Sequence, residues 1–121
     1  MFKQMLANII ERTEGSLGAL IMGLDGIAVE KIIGKAGNEA NLDVAAAEFT
    51  SLVRSAQRSG TDIGLGNLRE LVVCLDNAVV MMRLIGREYF VVLALSNEGN
   101  LGRGRYELRK AELELVKEFA L

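Results

Sequence analysis

The sequence predicts an α/β fold in which helices cover both faces of one antiparallel sheet, with the elements in the order α-β-β-α-β-β-β-α. Two observations lead to it. Five short apolar runs have the length of strands, at 16–24, 27–33, 68–75, 78–85 and 89–96. Three longer segments place apolar residues at helical spacing, at 2–13, 42–59 and about 105–119. Because the strands carry few polar residues, they need a helical layer on each side.

The first helix, at residues 2–13, is amphipathic. Its apolar residues recur at i, i+3, i+4, i+7 and i+8, and they are Phe2, Met5, Leu6, Ile9 and Ile10. Polar residues occupy the other side, and Gly15 is a suitable stop. We expect this helix to pack on the sheet through its apolar stripe.

A β-hairpin follows. The run 16–24 is almost wholly apolar, which is typical of a strand that is covered on both faces and lies inside a sheet. Asp25-Gly26 separates it from the run 27–33, and an Asp-Gly pair between two apolar runs is a strong hairpin signal. Because the second run carries Glu30 and Lys31, we expect that strand at an edge.

The second helix is expected at 42–59, after a loop at 34–40. Asn41 is a suitable N-cap and Gly60 a suitable C-cap. The side that faces the sheet consists of Leu42, Ala45, Ala46, Phe49, Leu52, Val53 and Ala56. A second loop follows at 61–67.

The last three strands form a meander. Asp76-Asn77 joins the first two of them and Gly86-Arg87-Glu88 joins the last two, and connections this short make antiparallel neighbours. A glycine-rich loop at 97–104 leads to the last helix. The apolar stripe of that helix consists of Leu108, Ala111, Leu115 and Phe119.

The composition argues against an enzyme and against a nucleic-acid-binding protein. The 121 residues make one domain, 1–121, and their net charge of −2 leaves no basic field for nucleic acid or a membrane surface. The chain has no histidine, the commonest general base and metal ligand. Its one cysteine, Cys74, stands in an apolar run and is expected to be buried and inert. Without a signal peptide or an apolar run of ~20 residues, we expect a cytoplasmic protein that holds no metal or cofactor.

Motifs for phosphate binding or catalysis are weak. Gly99, Gly102 and Gly104 lie between a strand and a helix, but the Walker A motif needs a Lys-Ser or Lys-Thr pair, which the chain lacks. We therefore interpret this loop as a tight connection. The following acidic residues are not paired by their spacing and are expected at the solvated surface: Asp25, Asp43, Glu48 and Asp62.

The outward side of the second helix favours a protein interface. This side consists of Val44, Ala47, Ser51, Arg54, Ser55 and Arg58. Most of these residues are small or apolar, whereas a solvent-facing side normally carries long charged residues. Small residues let another helix approach closely, with the two arginines at the rim. The alternative is that Ala and Ser are simply tolerated on an exposed helix.

The strand at 68–75 is a second candidate interface. Its inner part, Leu71, Val72 and Val73, has no lysine or proline to protect it. If the strand lies at the edge of the sheet, its unpaired N–H and C=O groups can bind a partner strand. If it lies inside the sheet, that interface does not exist.

With these elements in order, the chain resembles the roadblock/dynein light chain family, near its bacterial MglB-like branch. The resemblance covers roughly residues 4–118. It rests on the element order, on Gly18-Ala19-Leu20-Ile21-Met22-Gly23-Leu24-Asp25-Gly26-Ile27, and on Gly99-Asn100-Leu101-Gly102 with Arg105-Tyr106-Glu107-Leu108.

The resemblance implies a five-stranded sheet in the order 2-1-5-4-3, with the second helix on one face and the other two helices on the opposite face. It also implies a non-enzymatic homodimer, joined by the 68–75 strands and by the second helices lying side by side. The implied dimer interface is then Val44, Ala47, Ser51, Ser55, Leu71, Val72 and Val73. The partner implied by the resemblance is a Ras-like small GTPase, docked on Ala47, Ser51, Arg54 and Arg58.

Other functions stay open at this point. The protein could be an adaptor subunit of a motor or signalling complex that leaves GTP hydrolysis unchanged. It could also be a small-molecule sensor, although Arg83 is the only charge in 78–85 and a pocket needs polar groups. A hydrolase that uses carboxylates fits the sequence least.

Overall fold

A five-stranded antiparallel sheet runs through the centre of the protein, in the strand order β2-β1-β5-β4-β3. A computed structural model describes residues 2–34 and 39–118. The strands are β1 (Ser16–Gly23), β2 (Ala28–Ile33), β3 (Glu70–Cys74), β4 (Val79–Ile85) and β5 (Tyr89–Leu95). The predicted strand order is therefore confirmed, with β2 and β3 at the two edges.

Within the described residues, three helices cover the two faces of the sheet, and they are α1 (Phe2–Arg12), α2 (Glu39–Asp62) and α3 (Leu101–Glu118). One face packs against α1 and α3 through a cluster that includes Leu6, Ile9, Leu108, Ala111 and Leu115. The other face packs against α2 through Ala46, Phe49 and Val53. Because a sheet that is apolar on both sides must be shielded on both sides, this three-layer arrangement follows from the strand sequences.

The Asp-Gly turn between β1 and β2 is confirmed. The Ile27 amide donates to Oδ1 of Asp25 at 3.0 Å, and the Gly23 amide donates to the Ile27 carbonyl at 2.9 Å. Gly26 has φ +90°, a conformation that favours glycine. Asp25 is therefore a turn residue with a backbone partner.

The bounds predicted for α2 are wrong at both ends. The helix already begins at Glu39, so Asn41 lies inside it and is not the N-cap. It also continues past Gly60 to Asp62. A Schellman motif ends it: the Leu65 amide donates to the Gly60 carbonyl at 3.0 Å and the Gly64 amide to the Thr61 carbonyl at 3.1 Å. Gly64, with φ +77°, is therefore the glycine that ends the helix, four residues after the predicted C-cap Gly60.

The last helix also begins earlier than predicted, at Leu101 instead of 105. Asn100 is its N-cap, since its Oδ1 accepts from the Arg103 amide at 3.0 Å. Gly102 and Gly104 consequently belong to the first turn of α3 and not to the loop. The apolar stripe through Leu108, Ala111 and Leu115 is confirmed.

The buried side of α2 differs in one position from the predicted stripe. Leu52 is 45% exposed, and Thr50 is buried instead, with its hydroxyl donating to the Ala46 carbonyl at 2.9 Å. A threonine that satisfies its hydroxyl within its own helix can occupy a core position. The predictions for the side chains of Leu42 and Phe119, and for residues 35–38 of the loop, lie outside the described residues.

Candidate protein-interaction surface

The outward side of α2 carries few long polar side chains. Val44 is 68% exposed, and Ala47, Ser51 and Ser55 are exposed along the same stripe. Leu52, which the sequence pattern assigned to the core, adds a second large apolar side chain beside them. We call these five residues the α2 platform. An exposed apolar stripe on a helix whose other side is already packed is typical of an interaction surface.

Arg54 and Arg58 lie one turn apart along the border of the α2 platform, and both are exposed. Nη2 of Arg58 is 3.5 Å from the Ser55 hydroxyl. Arg54 lines an open groove of about 380 Å³ between α2 and the turns that follow β1 and β4, together with Asp25, Arg87 and Glu88. Both arginines therefore extend from α2 beside the platform, but their surroundings differ. Arg58 lies near Ser55 of the same helix, whereas Arg54 lies beside a polar groove.

The other candidate interface, β3, is an edge strand. It pairs with β4 on one side, and no strand in the described part of the chain pairs with its other side. Leu71 and Val73 point to the face covered by α2, and Val72 points to the face covered by α1 and α3. All three are only half-buried. An unprotected edge with half-buried apolar side chains is a template for strand pairing.

Cys74 is exposed, which corrects the expectation of a buried thiol. The apolar run that contains it leaves the strand at this residue, because β3 ends there. The next residue, Leu75, is 53% exposed. An apolar run in sequence is therefore no proof of burial where its strand lies at an edge.

A network of charges that sequence reasoning missed joins β3, β4 and α3. Arg83, 8% exposed, donates from Nε to Oε1 of Glu112 at 2.8 Å, and its Nη1 is 3.4 Å from Oε1 of Glu70. Nε of Arg105 donates to the other oxygen of Glu70 at 2.8 Å. The single charge within β4 is thus neutralised by groups 13 and 29 residues away in sequence. No local pattern reveals a pairing at such separations.

A buried carboxylate connects α3 to α1. Glu107 is 2% exposed, and it lies 2.9 Å from Arg103, 3.7 Å from Lys110 and 3.8 Å from Arg12. Three cations surround this carboxylate, and a buried charge is tolerated when it is paired in this way. We therefore assign Glu107 a structural role. Arg103, predicted to lie in the glycine-rich loop, and Arg105 are both held by ion pairs on the regular helix α3.

The glycines near α3 serve close packing. A Cβ atom on Gly15 would lie 2.5 Å from Cα of Gly99, and a Cβ on Gly104 would lie 3.1 Å from Leu93. The Asn100 amide donates to the Glu14 carbonyl at 3.0 Å, so the two connections are joined by their backbones. This supports the interpretation of the loop as a tight connection.

Acidic residues form no metal site in the described part of the chain. Asp25, Glu48 and Asp62 are exposed, and the side chain of Asp43 lies outside the described residues. Within 2–34 and 39–118, no group of three or more cysteines or carboxylates is placed to hold a metal ion. Among the same residues, no helix has both the length and the apolar content that crossing a membrane requires.

Comparisons with known proteins agree with this fold. Residues 2–94 match the family model described as the Roadblock/LC7 domain. A search of curated proteins gives no match. Among solved structures, MglC from Myxococcus xanthus is 31% identical, with a TM-score of 0.68 over 95% of this chain and 96% of that chain.

Two further structures are more distant in sequence and similar in fold. MglB from Myxococcus xanthus is 17% identical, with a TM-score of 0.86 over 98% of this chain and 86% of that chain. A roadblock/LC7 domain from Streptomyces avermitilis is 18% identical, with a TM-score of 0.83 over 98% of this chain and 96% of that chain. The expected resemblance to MglB-like proteins is confirmed. From the family match over three quarters of its length and from its similarity to MglC, the chain belongs to the roadblock/LC7 family.

Proposed function

We propose that the protein is a homodimeric regulator or scaffold that docks a Ras-like small GTPase and has no catalytic chemistry of its own. The observation that carries this proposal is the exposed, small and apolar α2 platform together with a β3 edge that no strand within residues 2–34 and 39–118 pairs with. The roadblock/LC7 family, a family of regulators and scaffolds, is generally non-enzymatic. The lack of any histidine is in keeping with a role that depends on surfaces.

The proposed dimer joins two copies through β3 and α2. Antiparallel pairing of the two β3 strands satisfies the backbone groups at both edges and continues the sheet from one copy into the other. The same arrangement brings the α2 helices together, so that Val44 and Leu52 lose their contact with water. Ala47 and Ser51 allow the close approach, because neither side chain extends far from the helix. A specific interface of this kind buries at least about 1,200 Å² in total.

The proposed GTPase site lies on the outer side of the paired helices. Arg54 and Arg58 are exposed there, and each occurs twice in a dimer. Arginines at the rim of an interface favour a partner with acidic groups and accelerate the encounter. Neither arginine lies on a loop that could carry it into a neighbour's nucleotide site. We therefore assign them docking roles and leave the chemistry of hydrolysis to residues of the GTPase.

The test measures binding between the dimer and small GTPases from the same genome, each loaded with GDP or with a non-hydrolysable GTP analogue. We expect one of them to bind, with an affinity that depends on the bound nucleotide. Single-turnover GTP hydrolysis then shows whether the complex stimulates the reaction. Nucleotide-dependent binding with an unchanged rate supports the scaffold role. A complete lack of binding contradicts the GTPase proposal and leaves the adaptor function.

A further inference from the structure

On the face of the sheet opposite α2, an open groove of about 640 Å³ lies between α3 and the beginning of β3. Its walls include Arg69 at the β3 edge and, on α3, Arg105, Tyr106, Arg109, Lys110 and Leu113. We call these six residues the basic groove. Because α2 covers the other face, the basic groove is distant from the platform that we assign to the GTPase, and the inference below does not rest on that assignment.

Positive charge is in excess in the basic groove. Glu112, which also lines the groove, and Glu70 are already paired with Arg83 and Arg105, and Glu107 lies 3.7 Å from Lys110. Within the described residues, the side chains of Arg69 and Arg109 form no ion pair, and both are exposed. This local excess contrasts with the net charge of −2 for the whole chain. A concave surface of one sign concentrates partners of the opposite sign.

Apolar side chains border the same cations. Tyr106 is 56% exposed and Leu113 is 69% exposed, and the two lie seven residues apart on one side of α3. The side-chain charges of Arg103 and Lys110 are 5.4 and 5.6 Å from the centre of the Tyr106 ring. A large aromatic and a large aliphatic side chain, both exposed among cations, form an amphipathic site.

We propose that the basic groove binds an acidic segment of a partner protein, with carboxylates on Arg69 and Arg109 and a large apolar side chain against Tyr106 and Leu113. Guanidinium groups bind carboxylates in a bidentate geometry, which makes two unpaired arginines good anchors. The groove also carries a single exposed aromatic ring, whereas single-stranded nucleic acids stack on several. The exposed leucine adds contact area that a phosphate backbone does not use.

The test is a selection of random twelve-residue peptides displayed on phage against the purified protein, followed by affinity measurements on the selected peptides. We expect the selected sequences to be enriched in Asp and Glu around at least one large apolar residue. Arg109→Glu and Leu113→Ser should each weaken their binding about tenfold or more, through like-charge repulsion and through lost contact area. Arg87→Glu is the matched control, since Arg87 is an exposed arginine in the turn between β4 and β5, and it should change the affinity less than about twofold.

Several outcomes contradict the proposal. A selection without acidic enrichment does so, and so do peptides whose affinity is the same for Arg109→Glu and for wild type. Tighter binding to a twenty-nucleotide single strand or to phosphatidylserine vesicles, lost in Arg109→Glu, would assign the groove to nucleic acid or to a membrane. A homodimer that dissociates more easily in Arg109→Glu would assign it to a second copy of the chain. The same measurements on Tyr106→Ser test the apolar part of the basic groove, because this change leaves the charge unaltered.

Discussion

The Nε of Arg83, in the middle of β4, donates to Oε1 of Glu112 on α3 at 2.8 Å. This ion pair lets a guanidinium group occupy a strand that is otherwise buried and apolar. It also fixes α3 over the edge half of the sheet, because Glu70 of β3 binds Arg83 and Arg105 at once. The guanidinium group of Arg83 thus has a structural role, because it connects β4 to β3 and to α3.

Glu112→Ala should lower the free energy of unfolding by about 1–3 kcal/mol, since it leaves the nearly buried Arg83 with the more distant Glu70 as its partner. Glu114→Ala is the matched control: Glu114 is exposed on the same helix, and its loss should cost less than about 0.5 kcal/mol. Urea unfolding at one fixed protomer concentration gives both values. Equal effects of the two changes would show that the ion pair contributes nothing to stability.

Ala47→Arg and Ser51→Arg should each weaken the proposed homodimer by at least about tenfold, because a long charged side chain would keep its two α2 helices apart. Gln4→Arg adds the same charge on the exposed side of α1 and should leave the dimer unchanged. Sedimentation equilibrium measures the dissociation constants. A wild-type protein that stays monomeric at micromolar concentration contradicts the proposed dimer.

Arg54→Ala and Arg58→Ala should weaken binding of the proposed GTPase partner and leave the saturating rate of hydrolysis unchanged, because a docking arginine acts before the chemical step. Single-turnover hydrolysis at increasing concentrations of the regulator separates the two effects. Loss of an arginine finger would instead lower the saturating rate by about 10³-fold or more. A fall of that size would show that the arginine stabilises the transition state directly and is not a docking residue.

The purified protein should bind neither ATP nor GTP, because Gly99 and Gly104 pack closely against Gly15 and Leu93 and the chain lacks the lysine of a phosphate loop. Isothermal titration calorimetry with each nucleotide and magnesium should give no heat beyond dilution. A micromolar dissociation constant for either nucleotide would restore the loop at the start of α3 as a phosphate site.

Gly15→Ala should destabilise the protein more than Gly26→Ala, although both glycines have positive φ angles of +85° and +90°. The backbone strain of alanine, about 1–2 kcal/mol, is common to both changes. Only at Gly15 does the new Cβ meet backbone, 2.5 Å from Cα of Gly99, whereas Gly26 faces open space. We expect a difference of about 1–3 kcal/mol in thermal or urea unfolding. Equal losses of stability would show that the backbone segments at Gly15 and Gly99 can move apart at little cost in free energy.

The sequence alone predicts the elements and their order, because periodicity and turn residues are local properties. The Asp25-Gly26 turn and the stripe through Leu108 and Leu115 are confirmed for this reason. Helix ends are less well predicted: Gly60 and Gly64 are equally good stops in sequence, and the loop that packs on α2 decides between them.

Tertiary contacts decide what local patterns leave open. Leu52 looks like a core residue by spacing, but the helix is rotated so that Thr50 faces the sheet. Cys74 is exposed because β3 is an edge strand and ends there. The partners of Arg83 come from β3 and α3, and only the folded chain brings them together. The candidate site residues on α2 follow from helical spacing, whereas the basic groove arises from the approach of α3 to an edge that lies far from it in sequence.

The exposed thiol at the end of β3 has a practical consequence. Cys74 is the only cysteine of the chain, so one nitroxide label attaches to each wild-type protomer without any engineered position. In an antiparallel strand pair, sliding the register by two residues changes the offset between the two labels by about 7 Å along the strands. Pulsed electron spin resonance resolves a change of that size. The distance between the two labels therefore reports the register of β3 pairing in the proposed dimer, without any substitution in the protein.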